Sequence, residues 1–192
     1  SIPGEGKSYT SVNLALSIAN EMDTTVLLVD GDIAKFGVSR ALGIDNEYGL
    51  IDVLEDDNLE IADVMLHTDI PKLRVVSAGR QQHEYIAELL ASQRMANLID
   101  ELASRYSDRI VIIDGPPLLP TPQTQILAGL VGQVVFVIEA GKTRQSLVTE
   151  ALEMIPEEQA VGLLLNKNEG ISGGGGSGYG YGSGYYADDN KL

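Results

Sequence analysis

The 192-residue chain has no cysteine and no tryptophan, and only two phenylalanines and two histidines. Without cysteine there can be neither a disulfide framework nor a thiolate metal site. The histidines, His67 and His83, form no ligand cluster in the sequence and read as surface or structural residues. Positive charge is also scarce, with 13 Lys and Arg against 28 Asp and Glu and a formal net charge of −15. The cations are scattered singly, so no basic patch is available to hold a phosphate backbone, and a nucleic-acid partner is not expected. No apolar run approaches the roughly 18 to 20 residues that span a bilayer, and no signal peptide is visible. A cytoplasmic location is the simplest expectation.

What is present is a regular alternation. Residues 25–30, 73–77, 109–114, 133–139 and 161–166 are short apolar runs of the kind that form strands buried on both faces. Between them lie helical patterns at residues 8–21, 92–106 and 143–155, the last with Thr143 as expected N-cap and Pro156 just beyond its end. Residues 36–60 read as short helices and loops punctuated by Gly43 and Gly49. Strands alternating with helices predict an α/β fold, a doubly wound, mostly parallel sheet with helices on both faces. The composition changes at the C-terminus. Residues 172–186 contain only glycine, serine and tyrosine, including Tyr179, Tyr181, Tyr185 and Tyr186. Such a stretch cannot bury a core against its ordering entropy, so the expected division is a folded domain at 1–171 and a flexible tail at 172–192.

The N-terminal Ser1-Ile2-Pro3-Gly4-Glu5-Gly6-Lys7-Ser8 fits the phosphate-loop pattern, with serine in place of the usual first glycine. Gly4 and Gly6 let the backbone curl so that successive N–H groups face phosphate oxygens. Lys7 brings a positive charge to the β- and γ-phosphates, Ser8 offers a hydroxyl to Mg²⁺, and the helix that follows adds its positive end. A dinucleotide-binding loop would need a third glycine where Tyr9 stands. The nucleotide set is therefore Pro3, Gly4, Glu5, Gly6, Lys7, Ser8 and Tyr9, which makes the fold a P-loop NTPase type. A P-loop normally leaves the end of a buried strand, so the first and central strand is expected to be missing from this chain, leaving the chain alone poorly folded.

Two strands end in carboxylates. Asp30-Gly31-Asp32 follows the run at 25–30, and Asp114-Gly115-Pro116-Pro117 follows the run at 110–113. The C-terminal edge of a parallel sheet is where ligands bind. Asp30 and Asp32 would thus approach the phosphates held by Lys7 and Ser8, one on Mg²⁺ and the other orienting or deprotonating a hydroxyl, with Asp114 as the Walker-B carboxylate. Taken singly, each aspartate could equally be a helix cap or turn residue.

The set PGEGKS, VLLVDGD and IVIIDGPPLLPTP resembles the bacterial tyrosine kinases of exopolysaccharide synthesis, in particular the autokinases linked to exosortase systems. Thr68 to Leu73, Glu88 to Ser92 and Val161 to Lys167 agree, as does the terminal tyrosine cluster. The resemblance implies ATP and Mg²⁺ as cofactors, with Lys7, Asp30 and Asp32 catalytic and Ser8, Asp30 and Asp114 on the metal. It implies a ring-like homo-oligomer in which Tyr179, Tyr181, Tyr185 and Tyr186 are phosphorylated in trans. It further implies a membrane-anchored activator of the polysaccharide co-polymerase type, holding the kinase at the inner membrane, and control of polymer export or chain length. Asn166 and Lys167 are candidate adenine contacts. Family members usually carry arginine where Ala34 stands, next to Lys35, and lysine is a poorer bidentate partner for phosphate. The rival reading is a partition or division-site ATPase switch. Its extra P-loop lysine would fall at Ile2, and it has no tyrosine tail. A third reading is a non-catalytic scaffold whose tail self-associates. Tyr9, Tyr48, Tyr85 and Tyr106 are expected to be packing residues.

Overall fold

In the computed structural model, residues 2–44, 47–80, 85–105 and 108–168 are described. The phosphate-loop segment leads into α1 (Lys7–Ala19), β1 (Thr25–Asp30), α2 (Gly37–Leu42) and α3 (Leu50–Glu55). A 3₁₀ turn at Ile61–Val64 precedes β2 (Leu66–His67), β3 (Leu73–Val76), α4 (Ile86–Leu90) and α5 (Gln93–Arg105). The chain continues through β4 (Arg109–Asp114), α6 (Pro122–Leu130), β5 (Gln133–Glu139), α7 (Gln145–Leu152) and β6 (Ala160–Asn166).

β1 is the hub because its alternating side chains serve two layers. Val26 and Leu28 pack with Ala15 and Ala19 of α1 and Val38 of α2. Leu27 and Val29 face the other way, onto Ile51, Met95, Leu98 and Leu102. Period-two alternation in a strand covered on both sides produces this division. The α5 residues Met95, Leu98, Ile99 and Leu102 recur at helical spacing and form one apolar stripe towards the sheet. β1 pairs in parallel with β3 on one side and β4 on the other, aligning Asp30 with Asp114. Short β2 adds antiparallel to β3 and was not expected from the sequence, since two residues carry no period. His67 lies on it, exposed, while His83 falls outside the described residues.

The α/β class with parallel strands and covering helices is as expected. The strands form a four-stranded sheet, β2-β3-β1-β4, and a separate parallel pair, β5-β6. Between β4 and β5 lies a cavity of about 690 Å³. Leu14 and Ile18 of α1 line it, with Leu127 and Ala128 of α6, Ile110 and Ile112 of β4, and Val135 and Val137 of β5. Among the described residues, β4 and β5 have no strand partner on the edges that face this slot. The slot lies beside α1, at the place where the strand feeding the phosphate loop is expected. It explains why Ile110 and Val135, read as buried, are about half exposed. β6 departs further from the expected doubly covered strand: Leu163 is 58% and Leu165 68% exposed.

Two helix boundaries also differ from expectation. The last long helix starts at Gln145 with Arg144 as N-cap, so Thr143 lies outside it. The Thr143 hydroxyl has a stronger acceptor elsewhere, the Glu5 carboxylate at 2.8 Å. The residues after Asp114, read only as a strand end, lead into α6, whose first helical residue is Pro122, a position where the missing N–H costs nothing. Among the described residues, no helix is long and apolar enough to cross a membrane.

Candidate active site

The loop before α1 turns through two glycines in the left-handed region, Gly4 at φ 89° and Gly6 at φ 93°, where an L side chain is disfavoured. Glu5, between them, is fully buried. Its Oε2 accepts the Ile2 N–H at 2.6 Å, closing the loop on itself. Lys7 Nζ donates to the Ile2 carbonyl at 3.2 Å, so the cation folds back across the turn. Burial lowers the Lys7 pKa, while the carboxylates of Glu5, Asp114 and Asp32 oppose that shift. Lys7 is half-buried, with three carboxylates holding its charge.

The strand ends supply the acids. Asp30 is fully buried, and its Oδ2 accepts both the N–H of Ser39, at 2.8 Å, and the Ser39 hydroxyl, at 2.7 Å. Its Oδ1 is buried with no hydrogen-bond partner among the described residues. Burial raises its pKa, against the two Ser39 hydrogen bonds that favour the anion. Asp114, next to it across the sheet, repeats the pattern. Its Oδ1 accepts the Ser11 hydroxyl at 3.1 Å, and its Oδ2 is buried without a partner. Burial, reinforced by the charges of Asp30 and Asp32, pushes this carboxyl up to about 6, against the Ser8 and Ser11 hydroxyls, which favour the anion. Asp32 is buried too, and its Oδ1 accepts the Lys35 N–H at 3.2 Å, the bond a turn residue makes.

Ser8 and Asp114 meet under α2. A Cβ built on Gly37 would overlap the Ser8 hydroxyl and lie 3.3 Å from Asp114 Oδ2. The P-loop hydroxyl and the Walker-type carboxylate therefore flank one point, roofed by a residue without a side chain. The Asp114 oxygen near the Ser8 hydroxyl, with Asp30 on the adjoining strand end, is a donor set that suits a hard divalent cation. Among the described residues no group of three or more acidic or histidine side chains could hold a metal alone. Mg²⁺ keeps waters and shares its coordination with phosphate oxygens rather than occupying an all-protein cage.

A family model described as an AAA domain matches residues 3–157. The tyrosine-protein kinase YwqD of Bacillus subtilis is 34% identical over 167 residues, which are 85% of this chain and 68% of YwqD. The chain belongs to the bacterial tyrosine kinases. Another relative, the succinoglycan biosynthesis transport protein ExoP of Rhizobium meliloti, is 31% identical over 172 residues, 88% of this chain. The chain spans only 21% of ExoP, and only 20% of EpsB of Ralstonia nicotianae. Among solved structures, the kinase domain of VpsO superposes with a TM-score of 0.76 at 32% identity, covering 86% of this chain and 80% of that one. Membership in this kinase family implies nucleotide binding, and the loop and strand-end aspartates above are the groups in this chain suited to it.

Several residues of this chain stand elsewhere than expected, or were missed. Asn166 and Lys167 touch the phosphate loop itself: Asn166 Nδ2 donates to the Glu5 carbonyl at 2.8 Å and Lys167 Nζ to the Gly4 carbonyl at 2.5 Å. Tyr9, Tyr48 and Tyr85 are not packing residues, being 69%, 51% and 71% exposed. Their neighbours in sequence suggested burial, but each ring projects from a helix start or loop. Tyr48 carries the Arg80 guanidinium 4.1 Å above its ring, and Arg80 also pairs with buried Asp52. Tyr106, Tyr179, Tyr181, Tyr185 and Tyr186 lie outside the described residues. Ser11, Gly37, Ser39 and Thr143 were missed as site residues. Only Ser11 had a sequence signal, one helical turn after Ser8 and thus on the same face.

Proposed function

We propose that the chain binds Mg-ATP at the loop Pro3 to Ser8 and transfers the γ-phosphoryl group to tyrosines, among them Tyr179, Tyr181, Tyr185 and Tyr186 of a neighbouring copy. The convergence of Ser8 and Asp114 beneath Gly37, with Asp30 alongside, is the observation that carries this reading. Ser8, Asp30 and Asp114 would hold Mg²⁺, which when bound neutralises charge on the phosphates. Lys7 would leave the Ile2 carbonyl for the β- and γ-phosphates, and the N–H groups of the glycine turn would face their oxygens. A tyrosine hydroxyl, with an ordinary pKa of about 10, must give up its proton as its oxygen bonds to phosphorus and the bond to ADP breaks. Asp32 is the assigned acceptor, with Asp30 on the metal. Tyr9 would lie at the outer rim of the site, and Asn166 and Lys167 beside the loop.

The relatives' names support a role in exopolysaccharide synthesis. In the proposed setting the kinase is cytoplasmic, assembles as a ring-like homo-oligomer, and is held at the inner membrane by a membrane-anchored activator. Each phosphorylation adds about −1.5 to −2 charges to an already acidic protein, so repulsion would loosen tail docking. The ATPase-switch alternative keeps the fold but lacks a lysine at Ile2. Incubation with Mg-ATP followed by mass spectrometry tests the choice. Phosphotyrosine on the tail that disappears in Lys7→Met is expected; ATP hydrolysis without phosphotyrosine would favour the switch.

A further inference from the structure

A carboxylate inside a loop that receives phosphate is electrostatically out of place, and Glu5 is the fully buried one here. Its two oxygens face in opposite directions. Oε2 turns back to the Ile2 N–H within the loop, and Oε1 accepts the Thr143 hydroxyl, 138 residues away, at 2.8 Å. Thr143 belongs to the connection between β5 and α7, in the part of the fold built on the second sheet. The end of β6 reaches the same loop through Asn166 on the Glu5 carbonyl and Lys167 on the Gly4 carbonyl. Lys167 does so from a left-handed backbone, φ 54°, a conformation uncommon for a residue with a side chain. Asn166 also packs so close to Gly6 that a Cβ there would overlap its amide. Among the described residues β4 and β5 do not pair with each other across the slot, so these contacts tie the second sheet to the phosphate loop where no strand hydrogen bonds do.

We propose that Glu5 and Thr143 are a positioning pair that fixes the phosphate loop's open curvature against the β5–α7 connection, so that nucleotide affinity depends on how the second sheet is seated. The proposal rests on the nucleotide-binding reading above and extends it to residues that need not touch the nucleotide. Glu5 has a second effect: it is the foremost of the charges that oppose the loss of the Lys7 proton on burial. Removing the Thr143 hydroxyl leaves a buried carboxylate oxygen without its donor, which strains the loop before any ligand arrives.

The test compares the unaltered chain with Thr143→Val, which keeps shape without the hydroxyl, and Thr143→Ser, which keeps the hydroxyl. Mg-ADP affinity is read by titration calorimetry, and amide exchange of residues 2–8 is read without nucleotide. Thr143→Val is expected to bind roughly ten-fold more weakly and to exchange faster across the loop, with Thr143→Ser within about two-fold of the parent. Parental affinity in Thr143→Val, or ten-fold weakening in Thr143→Ser, overturns the positioning role alone. Absence of Mg-ADP binding by the unaltered chain, with the amides of β1 protected from exchange, overturns the phosphate-loop reading, and the positioning role with it.

Discussion

Asp114 shows how one residue sets stability against function. Its buried carboxyl titrates at about 6, above the ordinary 3.8, so the native state holds that proton more tightly than the unfolded chain does. The stabilisation is complete below about pH 4 and is lost as pH rises through about 6, a difference of about 3 kcal/mol at most. Asp30, also raised by burial, acts in the same direction. Asp114→Asn is therefore expected to stabilise the nucleotide-free protein at pH 7 and to have little effect near pH 4, measured by urea unfolding at both values. The same substitution should abolish Mg²⁺-dependent nucleotide binding. Gly37→Ala probes the site from above, since its methyl group would overlap the Ser8 hydroxyl. Roughly ten-fold weaker Mg-ATP binding is expected, with metal-free ATP affected less; equal losses with and without metal would contradict a metal position beneath Gly37.

At the scale of elements, the apolar runs at 25–30, 109–114 and 133–139 were legible in the sequence from their continuous hydrophobic signature, although of the three only β1 is buried along nearly its whole length. α5 was legible from its spacing. Thr143 misled because a threonine before a helical pattern is a good N-cap, and only the fold reveals a buried carboxylate competing for its hydroxyl. β6 misled because Leu163 and Leu165 carry the composition of a core strand without its cover. The contrast gives a prediction. Leu27→Ala, in fully buried β1, should cost about 2 to 5 kcal/mol in urea unfolding, while Leu163→Ala on exposed β6 should stay within about 0.5 kcal/mol. Similar losses at both positions would mean that β6 is covered in solution. Of the candidate site, Lys7, Ser8, Asp30, Asp32 and Asp114 were legible as motif letters, whereas Ser39, Gly37 and Thr143 join it only through contacts across long stretches of chain.

For the molecule as a whole, the decisive feature is the apolar slot between two unpaired strand edges. Among the described residues, the unpaired edges and half-exposed Ile110 and Val135 leave apolar surface open along the slot. Fusing a six-residue, β-branched segment ahead of Ile2, long enough to lie between β4 and β5, is expected to raise the thermal midpoint by several degrees. An equally long Gly/Ser segment should leave it unchanged. A shared midpoint for both fusions would mean that the slot is not a strand site.

All of these readings assume that the glycine turn and the ends of β1 and β4 serve one nucleotide. A crystal structure with Mg²⁺ and a non-hydrolysable ATP analogue tests that most directly. Lys7 Nζ is expected on the β- and γ-phosphates, and one metal ion between the Ser8 hydroxyl and the carboxylates of Asp30 and Asp114, bound directly or through water. A nucleotide lodged elsewhere, or a metal ion held without Ser8 or either carboxylate, would contradict that assumption.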